Sequence, residues 1–127
     1  MYTKSLLVVD DDPNLRYSLS IILQRAGYLV TSVGQACEVI DRLQAGNYDL
    51  VIMDIKMPDI DGLALLPKIL TVYPQLPVLI LTAYPTPETA QEAKQSGARA
   101  LLEKPIDPDS LLETVHALLE PRPVSPN

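Results

Sequence analysis

Five short apolar runs, each followed by a stretch of helical period, constrain this chain more than any other feature. The runs occupy 6–9, 28–33, 50–53, 78–81 and 100–102, each of a length that suits a strand rather than a buried helix. Four are apolar nearly throughout, as strands covered on both faces are. Apolar residues then recur at helical spacing: Leu15, Leu19, Ile22, Leu23 and Ala26; Ala36, Val39, Ile40 and Leu43; Leu63, Leu66 and Leu70; Leu111, Leu112, Val115, Leu118 and Leu119. A further helix near 88–96 has only Ala90 and Ala93 for its apolar face, so it is expected to be the most weakly anchored of the five. Five such units joined by right-handed crossovers make a (βα)5 chain of the α/β class, a parallel sheet with helices on both faces.

Helix boundaries are legible. Asp12-Pro13, Thr86-Pro87 and Asp107-Pro108 each pair a capping side chain with a proline whose missing N–H costs nothing at the first helical position. Gly27, Gly46 and Gly97 stand where helices should stop. Pro67 conflicts with the third helical pattern, because it removes a backbone hydrogen bond there, and predicts a kink or early break over 63–67. The stretch EPRPVSPN, 120–127, is proline-rich and reads as a disordered tail or the start of a linker, leaving 1–119 as the domain.

Composition narrows the function. With 127 residues, 47% of them hydrophobic, the chain suits one globular core. No apolar run approaches the roughly 20 residues of a bilayer span, and the N-terminus lacks the pattern of a signal peptide, so a cytoplasmic protein is expected. Cys37 is the only cysteine, which rules out an intrachain disulfide and a multi-cysteine metal site; it is expected to pack as a small apolar residue. A formal charge of -6 argues against direct nucleic-acid binding, which draws its affinity from clustered Lys and Arg.

In an open parallel sheet the ligand crevice forms outside the carboxyl ends of the strands. The first strand ends in Asp10 and Asp11, the third in Asp54, the fourth in Thr82, and the fifth leads into Lys104. Carboxylates a few ångströms apart cannot all stay ionised cheaply unless a cation joins them, and an all-oxygen site with open water positions suits Mg2+. With the metal and Lys104 offsetting negative charge, a phosphoryl group can approach and one carboxylate can attack it to give an acyl phosphate. Asp12, just before Pro13, is a helix cap instead.

These residues carry a resemblance. VVDDDP, DLVIMDIKMPDIDG, LILTA, GA and EKP stand at the spacings of the receiver domain of two-component response regulators, and the chain resembles that family from about residue 4 to 119. The resemblance implies a flavodoxin-like, doubly wound five-stranded sheet of strand order 2-1-3-4-5. It implies that Asp54 accepts a phosphoryl group from a histidine kinase or phosphotransfer protein. Asp11 and Asp54 would bind Mg2+ through side chains, Lys56 through its backbone carbonyl, and Asp10 directly or through water. Thr82 and Lys104 would contact phosphoryl oxygens, and the Lys104-Pro105 bond would be cis. Phosphorylation would remodel the face of helix four, strand five and helix five. It would thereby control a partner or an attached effector domain.

Departures from the family pattern matter as well. Leu101 stands where such domains usually carry an aromatic residue that follows the threonine inward, and the chain has no Phe or Trp. Lys56 and Tyr84 occupy positions that tend to tune the lifetime of the acyl phosphate. No Arg lies between Lys104 and Pro121, so the helix-five dimer of the winged-helix regulators is disfavoured, though a homodimer of another kind stays open.

A single acid at a strand end is ordinarily solvated, but five matched positions on one rim are not explained that way. His116 reads as a surface or packing residue, Asp59 and Asp61 as loop and helix-start residues with Asp61 a candidate cap, and Met53 and Met57 as packing residues. A haloacid-dehalogenase-like phosphohydrolase would want an acid two residues after its nucleophile, where this chain has Lys56. A flavodoxin-like cofactor binder would want a Ser/Thr-rich phosphate loop, where this chain has DDDPN. A receiver-like interaction module that is never phosphorylated remains as the third alternative. The stretch MDIKMPDIDGLALLPKI looks most like receivers fused to ATP-driven transcription activators.

Overall fold

The structure, a computed structural model, describes residues 3–120. Strands β1 (Ser5–Val9), β2 (Leu29–Val33), β3 (Leu50–Asp54), β4 (Val78–Thr82) and β5 (Ala100–Glu103) pair in parallel in the order β2-β1-β3-β4-β5. The expected strand order is the one observed. Val9 stands beside Val33 and Met53, Asp54 beside Leu81, and Thr82 beside Glu103, so the carboxyl ends of all five strands reach one edge.

Alternation along each strand divides the core in two. Leu7, Val9, Val51, Met53, Val78 and Ile80 pack on one face and Leu6, Val8, Leu50, Ile52, Leu79 and Leu81 on the other. The second face is covered by Leu19 and Leu23 of α1 (Pro13–Arg25) and by Leu111 and Val115 of α5 (Pro108–Leu119). The first is covered by α2 (Val39–Ala45), α3 (Gly62–Val72) and α4 (Pro87–Gln95), through Val39, Leu43, Leu66, Ile69 and Ala93 among others. Every residue of β3 and β4 is buried, which explains why these two segments carry no alternating polar residues.

The caps are where the dipeptides put them. Asp12 accepts hydrogen bonds from the N–H groups of Asn14 and Leu15, Thr86 from Thr89, and Asp107 from Ser110, each with proline next in the chain. Asp61 caps α3 through the Leu63 N–H at 2.9 Å. Gly27 and Gly97 take φ of +100° and +104°, a region that costs L-residues with a side chain. Gly46 differs, ending α2 in extended backbone with φ of −145°.

Two expectations need correction. The third helix does not break at Pro67: α3 is continuous, with Leu63, Leu65, Leu66 and Ile69 buried on both sides of the proline, whose own ring is exposed. Burial of that apolar face outweighs the one lost bond. Cys37 is exposed rather than packed, because residues 36–38 form a 3-10 turn ahead of α2 that rotates it outward. As expected, α4 is weakly anchored, Ala93 being its one buried residue. The proline-rich tail lies, after Glu120, outside the described residues. No helix among the described residues is long and apolar enough to cross a membrane.

A helix-interior proline costs about 3 kcal/mol, offset by up to about 1 kcal/mol from the stiffer unfolded chain. Pro67→Ala is therefore expected to raise the unfolding free energy by about 2 kcal/mol, measured by urea denaturation. A loss of stability would show that α3 is built around the proline.

Candidate functional site

Asp10 follows directly on β1 and is fully buried. Its N–H donates to Val33 O at 3.2 Å, its Oδ1 accepts from the Asp12 N–H at 2.9 Å, and its Oδ2 lies 3.0 Å from Lys104 Nζ. The same ammonium stands 3.1 Å from Oδ2 of Asp54, the last residue of β3. Asp11 is exposed, yet one carboxylate oxygen from each of Asp10, Asp11 and Asp54 falls within 4.8 Å of the others. The fit to a small hard cation is good: the donors are all oxygen, negative charge exceeds the one ammonium, and exposure at Asp11 leaves a side open to water.

Local structure explains the precision at Asp54. The Gly62 N–H donates to Ile55 O at 2.6 Å, and a Cβ on Gly62 would run into the Asp54 carbonyl, so α3 is seated directly against the end of β3. On the neighbouring strand, Thr82 is buried and its Oγ1 accepts from the Tyr84 N–H at 3.1 Å. The Lys104 N–H donates to Thr82 O at 2.7 Å, tying the β5 end to the β4 end, and the Lys104–Pro105 peptide is cis.

Burial pushes the Asp54 carboxyl above its ordinary range. Lys104 pulls it down by hydrogen bond and charge, while the negative Asp10 pushes it up again. Burial alone would lower the Lys104 ammonium, but the hydrogen bonds and charges of Asp10 and Asp54 together hold it above its ordinary value. The site thus keeps its cation charged and makes Asp54 reluctant to ionise.

Of the residues named from sequence, Asp10, Asp54 and Lys104 are joined directly, with Asp11 within reach and Thr82 on the adjoining strand end. Lys56 and Tyr84 meet each other, the ammonium lying 5.4 Å from the ring centroid, with Tyr84 largely exposed. Leu101 stands apart from the rim. It packs against the core beneath α4 and helps line a cavity of about 250 Å³ with Ala90, Ala93 and Ala98. His116 is a surface residue paired with Glu120 at 3.0 Å.

Two contacts at the rim escaped the sequence reading. Arg16 Nη1 donates to the main-chain O of Asp10 at 2.7 Å. Its position in the second turn of α1, with side chains tilted back toward the helix start, was the available signal. The Asp59 carboxylate accepts from the Ala36 and Cys37 N–H groups at 3.2 and 2.9 Å, tying the loop after β3 to the turn after β2. The Cys37 N–H, with that of Ala36, holds the Asp59 carboxyl below its ordinary value, and the hydrogen bond to Asp59 raises the Cys37 thiol. No local signal announces a cap reaching across 22 residues.

Known proteins share this chain's sequence pattern and fold. The family model of the response regulator receiver domain matches residues 6–116. The transcriptional regulatory protein ZraR of Klebsiella oxytoca is 38% identical over 125 residues, 94% of this chain and 28% of that protein. The DNA-binding transcriptional regulator NtrC of Proteus hauseri is 39% identical over 115 residues, 91% of this chain and 24% of that protein. The chain spans roughly a quarter of the length of the curated relatives it matches. Among solved structures, chemotaxis protein CheY4 of Vibrio cholerae superimposes with a TM-score of 0.89 at 33% identity, over 93% of this chain and 100% of that one. TrrA of Thermotoga maritima, in complex with Mg(2+)-BeF, gives 0.84 at 36% identity, over 92% and 100%. The chain belongs to the response regulator receiver domain family of two-component systems.

The raised Asp54 carboxyl has a consequence for stability. Between its unfolded and folded pKa values the native state binds more protons, so stability falls as pH rises through that interval. Lys104 behaves oppositely: its contribution is complete below the ordinary lysine range and is lost only as pH climbs through its raised folded value, far from neutrality. Asp54→Asn is accordingly expected to melt at a higher temperature than the parent at pH 7, the gap closing below the ordinary carboxylate range. Thermal denaturation across that series checks this; a variant less stable than the parent at pH 7 would show the Lys104 pair to outweigh burial.

Proposed function

We propose that Asp54 accepts a phosphoryl group from a histidine kinase or phosphotransfer protein and that the resulting acyl phosphate switches the domain between two conformations. The observation that carries this reading is the shared ammonium, Lys104 Nζ at 3.0 and 3.1 Å from two buried carboxylates with a third acid within reach. Mg2+, held by Asp11 and Asp54 side chains and the Lys56 carbonyl, with Asp10 direct or through water, would supply the positive charge that lets an anionic phosphoryl group enter. An Asp54 carboxylate oxygen attacks phosphorus, the P–N bond to the donor imidazole breaks, and the nitrogen keeps the electron pair. Lys104 remains charged and moves onto a phosphoryl oxygen, so the incoming charge does not go unpaired in a buried site.

The switch follows from what Thr82 must give up. Its hydroxyl oxygen now accepts from the Tyr84 N–H; turning inward to donate its hydrogen to a phosphoryl oxygen carries that oxygen away from the Tyr84 N–H and frees the loop into α4. That helix buries only Ala93, and the cavity beside Leu101 gives it room, so a differential of a few kcal/mol moves it. Leu101 reports the movement by packing. The exposed Lys56–Tyr84 pair flanks the approach to Asp54 and sets how readily water reaches the acyl phosphate. The output is a partner protein or, by likeness to the longer regulators, an attached effector domain, with no direct nucleic-acid contact by this domain. The setting is cytoplasmic.

Intact mass after incubation with a small-molecule phosphodonor and Mg2+ tests the chemistry. A single labile adduct is expected, absent in Asp54→Asn and with a chelator. No adduct with Mg2+ binding intact would point to a phosphorylation-independent interaction module.

The relay has its own test. Thr82→Ala is expected to take the adduct but to lose the change in amide exchange over α4 that the parent shows. An unchanged exchange response in the variant would remove Thr82 from the relay.

A further inference from the structure

Every polar group of Asp10 has a partner: its N–H on Val33 O, Oδ1 on the Asp12 N–H, Oδ2 on Lys104, and its main-chain O on Arg16. The last of these is the carbonyl of the peptide that joins Asp10 to Asp11. Asp11 is different, for its carboxylate takes no hydrogen bond from any described residue, so the backbone that bears it is what directs it toward Asp54. Outside the sheet ladder and the turn itself, the side chain that pins this backbone is Arg16. The guanidinium also packs against the loop after β2, closest through the same Nη1. A Cβ on Gly34 would stand 2.8 Å from Nη1 and 3.3 Å from Cζ, and Gly34 does not have a positive φ, so its smallness leaves room for the arginine rather than serving a turn.

We infer that Arg16 is a positioning residue for the cation site. It holds the Asp10–Asp11 peptide so that Asp11 faces Asp54, and Gly34 is the seat that keeps the guanidinium in place. The inference rests on the proposed Mg2+ reading and deepens it. Its sign separates it from simple electrostatics. A guanidinium near three carboxylates repels a divalent cation, so charge alone predicts tighter Mg2+ binding when Arg16 is removed. Positioning predicts weaker binding.

Calorimetric titration of Mg2+ into the parent chain, Arg16→Ala, Arg16→Lys, Gly34→Ala and the Arg16→Ala/Gly34→Ala double variant decides the matter. Loss of a group that orients a metal ligand typically costs about 10-fold or more in affinity, and that loss is expected for Arg16→Ala. Lysine, which keeps one donor, should recover part of it. Gly34→Ala keeps the charge and displaces only the end of a flexible side chain, so it should fold, and it should weaken Mg2+ binding as Arg16→Ala does, the double variant being no worse. Arg16→Ala or Gly34→Ala binding Mg2+ as tightly as the parent, or more tightly, would overturn the inference. Failure of the parent itself to bind Mg2+ would instead overturn the proposed function.

Discussion

One ammonium between two buried carboxylates holds the functional edge of this domain together. Asp10 and Asp54 end adjacent strands in the middle of the sheet, where water does not compensate them, and ionised groups there are tolerable only if paired and hydrogen-bonded. Lys104 supplies the pairing from 94 residues further along the chain than Asp10, at the end of the outermost strand. Closing that bridge requires β4 to lie between β3 and β5 in register, with the Lys104 N–H on the Thr82 carbonyl. The sheet thus places the charges, and the charges in turn tie the edge strand to the centre.

Pairing is incomplete by design of the charge count, since Asp11 adds a third carboxylate that Lys104 does not reach. An excess of negative charge on a rim open to water is what a divalent cation would relieve, while burial, with the neighbouring Asp10 charge adding to it, holds the Asp54 carboxyl above its ordinary range. Around this rim the loops are cross-tied rather than slack. Arg16 grips the loop after β1, Gly34 backs it from the loop after β2, and Asp59 joins that region to the loop that follows Asp54. Rigidity is concentrated on the side of β1, β2 and β3. The side of β4 and β5 is looser: α4 buries a single alanine, a cavity lies beside Leu101, and the hydroxyl of Thr82 is spent on a loop amide it can release. Firm ties around the acidic rim and slack at α4 are well suited to the proposed switch.

The five strand segments, the three Asp/Thr-Pro caps and the rim residues Asp10, Asp11, Asp54, Thr82 and Lys104 could be read from the chain because their causes are local, whereas the strand order was implied only by resemblance to a family. A fully apolar five-residue run, a capping side chain before a proline, or a polar residue immediately after a strand carries its meaning in its neighbours. Pro67 shows the limit of local reading. Its penalty is real, but four buried side chains around it keep α3 continuous across it, and burial is a property of what packs against the helix. Cys37 shows the same limit in reverse, an apolar-looking residue turned to solvent by a 3-10 turn whose amides are capped from another loop.

The sequence by itself determined the five β-α units, the two-sided core and which residues crowd the carboxyl edge. These follow from side-chain period and from the handedness of parallel crossovers. Only the tertiary structure decided that one lysine bridges two acids, that Arg16 and Gly34 meet behind the Asp10–Asp11 peptide, and that Asp59 caps a turn 22 residues away. Those contacts join segments with no sequence relationship. Their distances depend on how the loops settle once the sheet has formed, and no periodicity along the chain records that.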